Sequence, residues 1–206
     1  HAAAFKHVSL LEDQPAVALL NNVLATHQLA SLSRKNGVEA FVLVSTDKAV
    51  DPASVMGATK RVAERLIEGH SLSECGTGYI SVRFGNVLGS SGSVVPIFQK
   101  QIEQGGPITV RGNTISRFFM SIPEAAGLVL SSAALGTNGD QFILDMGKTV
   151  RIADLAEQMI RLSGKMPGEE IEIQFTELLP GEKRHESLHS ANEQLVDTSH
   201  PKIQRV

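Results

Sequence analysis

A single cysteine, Cys75, leaves the 206-residue chain without an intrachain disulfide, which fits a reducing compartment. It reads as a small residue packed at a helix end rather than as a redox group. No run comes near the ~20 consecutive apolar residues that a membrane-spanning helix needs, and no basic-then-apolar leader opens the chain. The segment is therefore expected to be cytoplasmic and to make no membrane contact. Charge of one sign is also scarce. A net charge of −3 and a pI near 6.2 give no general electrostatic footprint for nucleic acid. Internal repeats and low-complexity tracts are absent. What remains, 42% apolar and 20% charged, can bury a core as one α/β unit or two small lobes.

Strand and helix signals alternate, which predicts a parallel sheet with helical crossovers. Pro15 sits just inside a helix carrying Val17, Leu20, Val23, Leu24, Leu29 and Leu32, which stops near Asn36-Gly37. Residues 41–44 form a short apolar run suited to a strand buried on both faces, and a long helix follows over 54–74. Residues 79–84 predict a second strand. Ser121-Ile122-Pro123-Glu124 matches a capping box opening a helix through Leu135. Residues 141–145 predict a third strand, and 152–162 an amphipathic helix through Leu155, Met159 and Leu162. Residues 171–175 alternate strictly, as a half-exposed strand outside the main sheet would.

A dinucleotide-binding fold normally opens with a strand, a Gly-rich turn and a helix whose N-terminus holds the pyrophosphate. No such opening is present here. Gly85 to Gly92 is Gly-rich and follows a strand, but its spacing differs; it reads equally as a plain turn or as a loop approaching phosphate. His1-Ala2-Ala3-Ala4 looks like the loop just after a strand, so the chain is expected to be a piece lacking an N-terminal half.

The motifs HAAAFKHVSLLE, STDKAVDPASVMGATKR, RFGNVLGSSGSVVPIFQKQI, RFFMSIPEA and LPGEKRHESL occur in order across nearly the whole chain. Together they resemble the nucleotide-sugar 4,6-dehydratases of polysaccharide biosynthesis, in the extended short-chain dehydrogenase/reductase superfamily. The nearest likeness is to the group acting on UDP-N-acetylglucosamine. The resemblance implies the C-terminal part of a Rossmann-like parallel sheet with a small substrate-binding lobe. Residues 1–88 and 114–147 would form the former, and 89–113 and 148–206 the latter. It also implies NAD as cofactor for the intact protein, whose main pyrophosphate site would precede His1. It further implies a UDP-sugar substrate, homo-oligomerisation, and an intact parent anchored to the inner membrane as in larger members. The 206-residue piece is expected to be inactive by itself.

In such enzymes bound NAD⁺ oxidises carbon 4 of the hexose, which acidifies the hydrogen on carbon 5; water leaves across carbons 5 and 6, and the hydride returns to carbon 6. The resemblance assigns Thr46 to the 4-hydroxyl, Asp47 as acid and Lys48 as base. These residues follow the first strand, where ligands of open α/β sheets bind. Strand alternation, however, would send Thr46 and Lys48 to one side and Asp47 to the other unless the chain has already turned. Met56 and Lys60 lie four apart on a helix, where a classical dehydrogenase carries tyrosine and lysine. A thioether moves no proton. Met56 is therefore packing or a substrate contact, and the 4-hydroxyl proton needs another route. The resemblance places Lys60, Ala2 and Ala3 against the cofactor, and Lys6, Asn86 and Arg117 against the nucleotide-sugar, with Arg117 suited to phosphate. Leu179 departs from the arginine that relatives often carry before Pro-Gly.

Two rival readings remain. A nucleotide-sugar epimerase or reductase also begins by oxidising a sugar hydroxyl. His185-Glu186-Ser187-Leu188-His189 satisfies H-E-x-x-H, which on a helix would suit a zinc hydrolase. That segment follows Pro180-Gly181 and already fits the dehydratase pattern, so no metal site is expected.

Overall fold

The computed structural model describes residues 1–73 and 76–206. Cys75 and the last position of the predicted 54–74 helix lie outside the described residues. In chain order the elements are α1 (Val8–Glu12), α2 (Pro15–Ala18), a π-helical stretch (Leu19–Leu24), α3 (Ala25–Lys35), β1 (Ala40–Val44) and a 3-10 turn (Asp47–Ala49). There follow α4 (Val55–Ser71), β2 (Gly78–Arg83), β3 (Asn86–Val87), α5 (Val94–Glu103), β4 (Ile108–Arg111), β5 (Ser116–Arg117) and β6 (Phe119–Met120). The chain continues through α6 (Ile122–Leu135), β7 (Gln141–Leu144), β8 (Val150–Arg151), α7 (Ile152–Leu162), β9 (Ile173–Thr176), β10 (Val196–Asp197) and β11 (Ile203–Arg205).

Among the described residues the main sheet has the order β1-β2-β7-β11-β10, with β1, β2 and β7 parallel and the last two strands antiparallel to their neighbours. The apolar runs of β1 and β2 reflect burial on both faces. On one face Ala63 and Ile67 of α4 pack with Phe41, Leu43 and Tyr79. On the other, Ala125 and Leu128 of α6 pack with Ile80, Val82, Phe142 and Leu144. This is a Rossmann-like α/β arrangement. Ser54 caps α4 by accepting from the Gly57 N–H at 3.0 Å. Ser121 caps α6 by accepting from the Glu124 N–H at 3.2 Å, while the Glu124 carboxylate turns to Lys202 instead of closing the capping box.

A second core joins Phe98 and Ile102 of α5, Ile108 and Val110 of β4, Ile152, Ala156 and Ile160 of α7, and Ile171. The predicted alternating strand at 171–175 falls here, as β9 paired parallel to β4.

Two expectations need correction. The helix begun at Pro15 is interrupted by the π-helical stretch, and its leucines do not face the core: Leu20 and Leu32 are exposed, whereas Ala18, Asn22, Thr26 and Ala30 are buried. Small and polar residues occupy the inner face because Asn22 bonds the backbone of Phe5 and the hydroxyl of Thr59, which requires close approach. β10 and β11, in the stretch assigned to the smaller lobe from sequence, join the main sheet instead, because β11 satisfies the free edge of β7. Among the described residues no helix is long and apolar enough to cross a membrane.

Candidate active site

β1 delivers its last residues to the carboxyl end of the sheet. The Ser45 N–H still donates to the Val82 carbonyl at 2.7 Å and the Asp47 N–H to the Phe84 carbonyl at 3.0 Å, so β2 guides the chain beyond the end of the strand. At Asp47 the backbone enters the 3-10 turn, with Thr46 as its extended cap. The turn removes the alternation that would have separated the three side chains. The Thr46 hydroxyl and the Lys48 ammonium each donate to Asp47 Oδ1 at 2.9 Å. Lys48 also donates to Asn86 Oδ1 at 3.1 Å. Asp47 is fully buried, and its Oδ2 has no hydrogen-bond partner.

Two glycines make this convergence possible. A Cβ on Gly57 would stand 2.2 Å from the Lys48 carbonyl oxygen, so the first turn of α4 sits directly on the 3-10 turn. A Cβ on Gly85 would stand 2.8 Å from Phe118 Cβ and 3.1 Å from Asp47 Oδ2.

Beneath the trio, Lys60 of α4 is buried and donates to the Val44 carbonyl at 2.6 Å. Burial lowers its pKa to about 8, against the opposing pull of Glu64. Met56, one turn earlier, packs with Leu11 and Ala18. A buried ion network braces the same strand end. Arg83 donates to Glu64 at 2.9 Å and to Glu193 at 2.9 Å, and the Ser45 hydroxyl donates to Glu64 at 2.6 Å. Burial alone would raise the Glu64 pKa, but the bonds from Arg83, Ser45 and Arg61 outweigh it and hold the carboxyl below its ordinary value.

The remaining predicted residues spread around this centre. Lys6 reaches the Ser90 hydroxyl at 3.2 Å, which puts it beside the Gly85–Gly92 loop. Ala2 and Ala3 are exposed, next to His1, whose carbonyl accepts from the Val44 N–H at 3.1 Å. Arg117 commits its guanidinium to the carbonyls of Ser116, Lys183 and Arg184 at 2.8, 2.8 and 3.1 Å, and so holds the C-terminal segment.

Sequence reasoning missed two residues. Asn22 is fully buried and ties the residue 5 backbone to α4. Glu186 brings Oε1 to 3.8 Å from Lys48 Nζ. The H-E-x-x-H match had drawn attention to Glu186, but that stretch is not helical: His185 bonds the Ser116 hydroxyl and His189 faces the Ser190 carbonyl. Among the described residues no group of three or more His, Cys, Asp or Glu could hold a metal ion.

Residues 1–206 match the family described as polysaccharide biosynthesis protein. The chain is 51% identical over 205 residues to the capsular polysaccharide biosynthesis protein CapD of Staphylococcus aureus, spanning 100% of this chain and 34% of that protein. It is 37% identical over 197 residues to a UDP-glucose 4-epimerase of Rickettsia canadensis, spanning 94% of this chain and 56% of that one. Among solved structures, Pen from Bacillus thuringiensis superposes with a TM-score of 0.93 at 38% identity, covering 100% of this chain and 64% of that chain. The chain thus spans about a third of the length of the first of these relatives.

Proposed function

Because the chain belongs to the polysaccharide biosynthesis protein family, we propose that it carries the acid–base site of a nucleotide-sugar 4,6-dehydratase acting on a UDP-N-acetylhexosamine in surface polysaccharide assembly. One observation carries this reading: a hydroxyl and an amine converge on one oxygen of a buried carboxylate, Asp47 Oδ1, at the carboxyl end of a parallel strand.

The residues present fit the ribose side of NAD. Lys60 is buried beside the strand end and keeps N–H groups to offer beyond its bond to Val44. Bound NAD⁺ would supply the hydride chemistry, accepting hydride from carbon 4 and returning it to carbon 6. The chain's own residues handle the protons. Thr46 takes the 4-hydroxyl proton as it passes its own along the 2.9 Å bond to Asp47, which gives the proton a route that Met56 cannot provide. Lys48, once it has released a proton to solvent and become a neutral amine, then takes the acidified proton from carbon 5 and gives it back to carbon 5 when carbon 6 is re-reduced. Asp47 returns its proton to the departing 6-hydroxyl, so the carbon 5–carbon 6 double bond forms as the carbon 6–oxygen bond breaks and water leaves. Division into a sheet-bearing lobe and a smaller substrate lobe around the second core belongs to the same proposal. So does self-association through the exposed leucines of the π-helical stretch and α3.

The full-length protein, incubated with UDP-N-acetylglucosamine and NAD⁺, is expected to yield a 4-keto-6-deoxy sugar lighter by one water, with Lys48→Met reducing the rate by about 10²-fold or more. An epimer of unchanged mass that retains its 6-hydroxyl would overturn the assignment in favour of the epimerase chemistry of the Rickettsia relative.

A further inference from the structure

We propose that Glu186 is a positioning residue for Lys48, a second carboxylate brought in by the C-terminal segment to hold the ammonium on target beside Asp47. The inference rests on the reading of Lys48 as the base.

Glu186 is buried among charges. Lys48 Nζ lies 3.8 Å from its Oε1, and Lys183 Nζ lies 3.9 Å from its Oε2. Its side chain is 4% exposed, and Oε2 has no hydrogen-bond partner. A buried carboxylate oxygen lacking a donor is costly, and native structures keep such groups where function demands them. Its placement is no accident of a loose loop, because the chain is tied on both sides. Arg117 holds the carbonyls of Lys183 and Arg184, the Ser116 N–H donates to the Arg184 carbonyl at 3.2 Å, and the Lys183 ammonium donates to the Val50 carbonyl at 2.7 Å. Beyond Glu186, Arg83 donates to the Leu188 carbonyl at 3.0 Å. The charged groups facing Glu186 are Lys48 and Asp47 from the 3-10 turn, Arg117 from β5 and Lys183 from its own segment. Burial, reinforced by Asp47, raises the Glu186 pKa, while Lys48, Arg117 and Lys183 oppose the rise. A carboxylate at this distance gives the flexible Lys48 side chain a further fixed partner besides Asp47 and Asn86.

The test joins turnover of the full-length protein on UDP-N-acetylglucosamine to trace acetylation at a single pH read by peptide mass spectrometry. The isosteric Glu186→Gln variant should label Lys48 faster than wild type does, with Lys202 unchanged, and should lower kcat about tenfold with little change in KM. Glu186→Asp, which keeps the charge, should restore most of both differences. In a Lys48→Met background Glu186→Gln should cost no further activity, because it acts through Lys48. Unchanged Lys48 labelling in a folded Glu186→Gln protein would refute the proposal. Faster Lys48 labelling in a protein that removes water from no UDP-sugar would uphold the Glu186–Lys48 pair while rejecting the dehydratase reading.

Discussion

Lys60 offers a quantitative check on the buried floor of the site. Its pKa falls from 10.5 to about 8 because the ammonium is buried, with Glu64 pulling only partly the other way. The folded-state value lies below the unfolded one, so the fold disfavours the charged form. Below pH 8 both states are protonated and the full burial cost is present; the cost is relieved as pH climbs from 8 to 10.5. At about 1.4 kcal/mol per pH unit the whole relief is about 3 kcal/mol, of which about 2 kcal/mol has accrued by pH 9.5. The assay is urea unfolding of wild type and Lys60→Met at half-unit steps from pH 7 to 10.5. Other titrating groups cancel in the difference, so wild type should gain about 2 kcal/mol on the variant between pH 7 and 9.5. A difference that stays flat across this window would show that the amine is solvated and would remove it as the buried partner of a cofactor ribose.

Gly57→Ala should destabilise the fold by about 3 kcal/mol, despite the better helix propensity of alanine, because the new methyl would meet the Lys48 carbonyl at 2.2 Å. Thermal unfolding measures this, and an unchanged Tm would mean that α4 does not rest on the 3-10 turn. Arg83→Met should cost about 3 kcal/mol in denaturant unfolding by leaving the buried Glu64 and the partly buried Glu193 with Arg61 alone as their shared cation. Adding Glu64→Gln to that variant should recover part of the loss, and strict additivity of the two changes would argue against a coupled network.

Much of the architecture was legible because the deciding interactions are local. The apolar runs of β1 and β2, the cap at Ser121 and the helix at 152–162 depend on residues within a few positions of one another, and the structure reproduces them to within a few residues. Thr46, Asp47 and Lys48 were legible as neighbours at a strand end, with their roles implied by the family resemblance. Their mutual geometry was not, because it depends on the 3-10 turn that Gly57 permits. The inward face of the first long helix was misread, since its leucines advertise a core and only the packing against α4 shows that Asn22 and small residues occupy it. The carbonyls of Lys183 and Arg184 around Arg117 are likewise a tertiary feature that no local pattern announces. Sequence by itself determined β1, β2, β7 and β9 and the cap at Ser121. Tertiary structure alone decided that β11 completes the sheet and that Glu186 stands beside Lys48, because partners so distant along the chain are chosen by shape and burial, which no local pattern records.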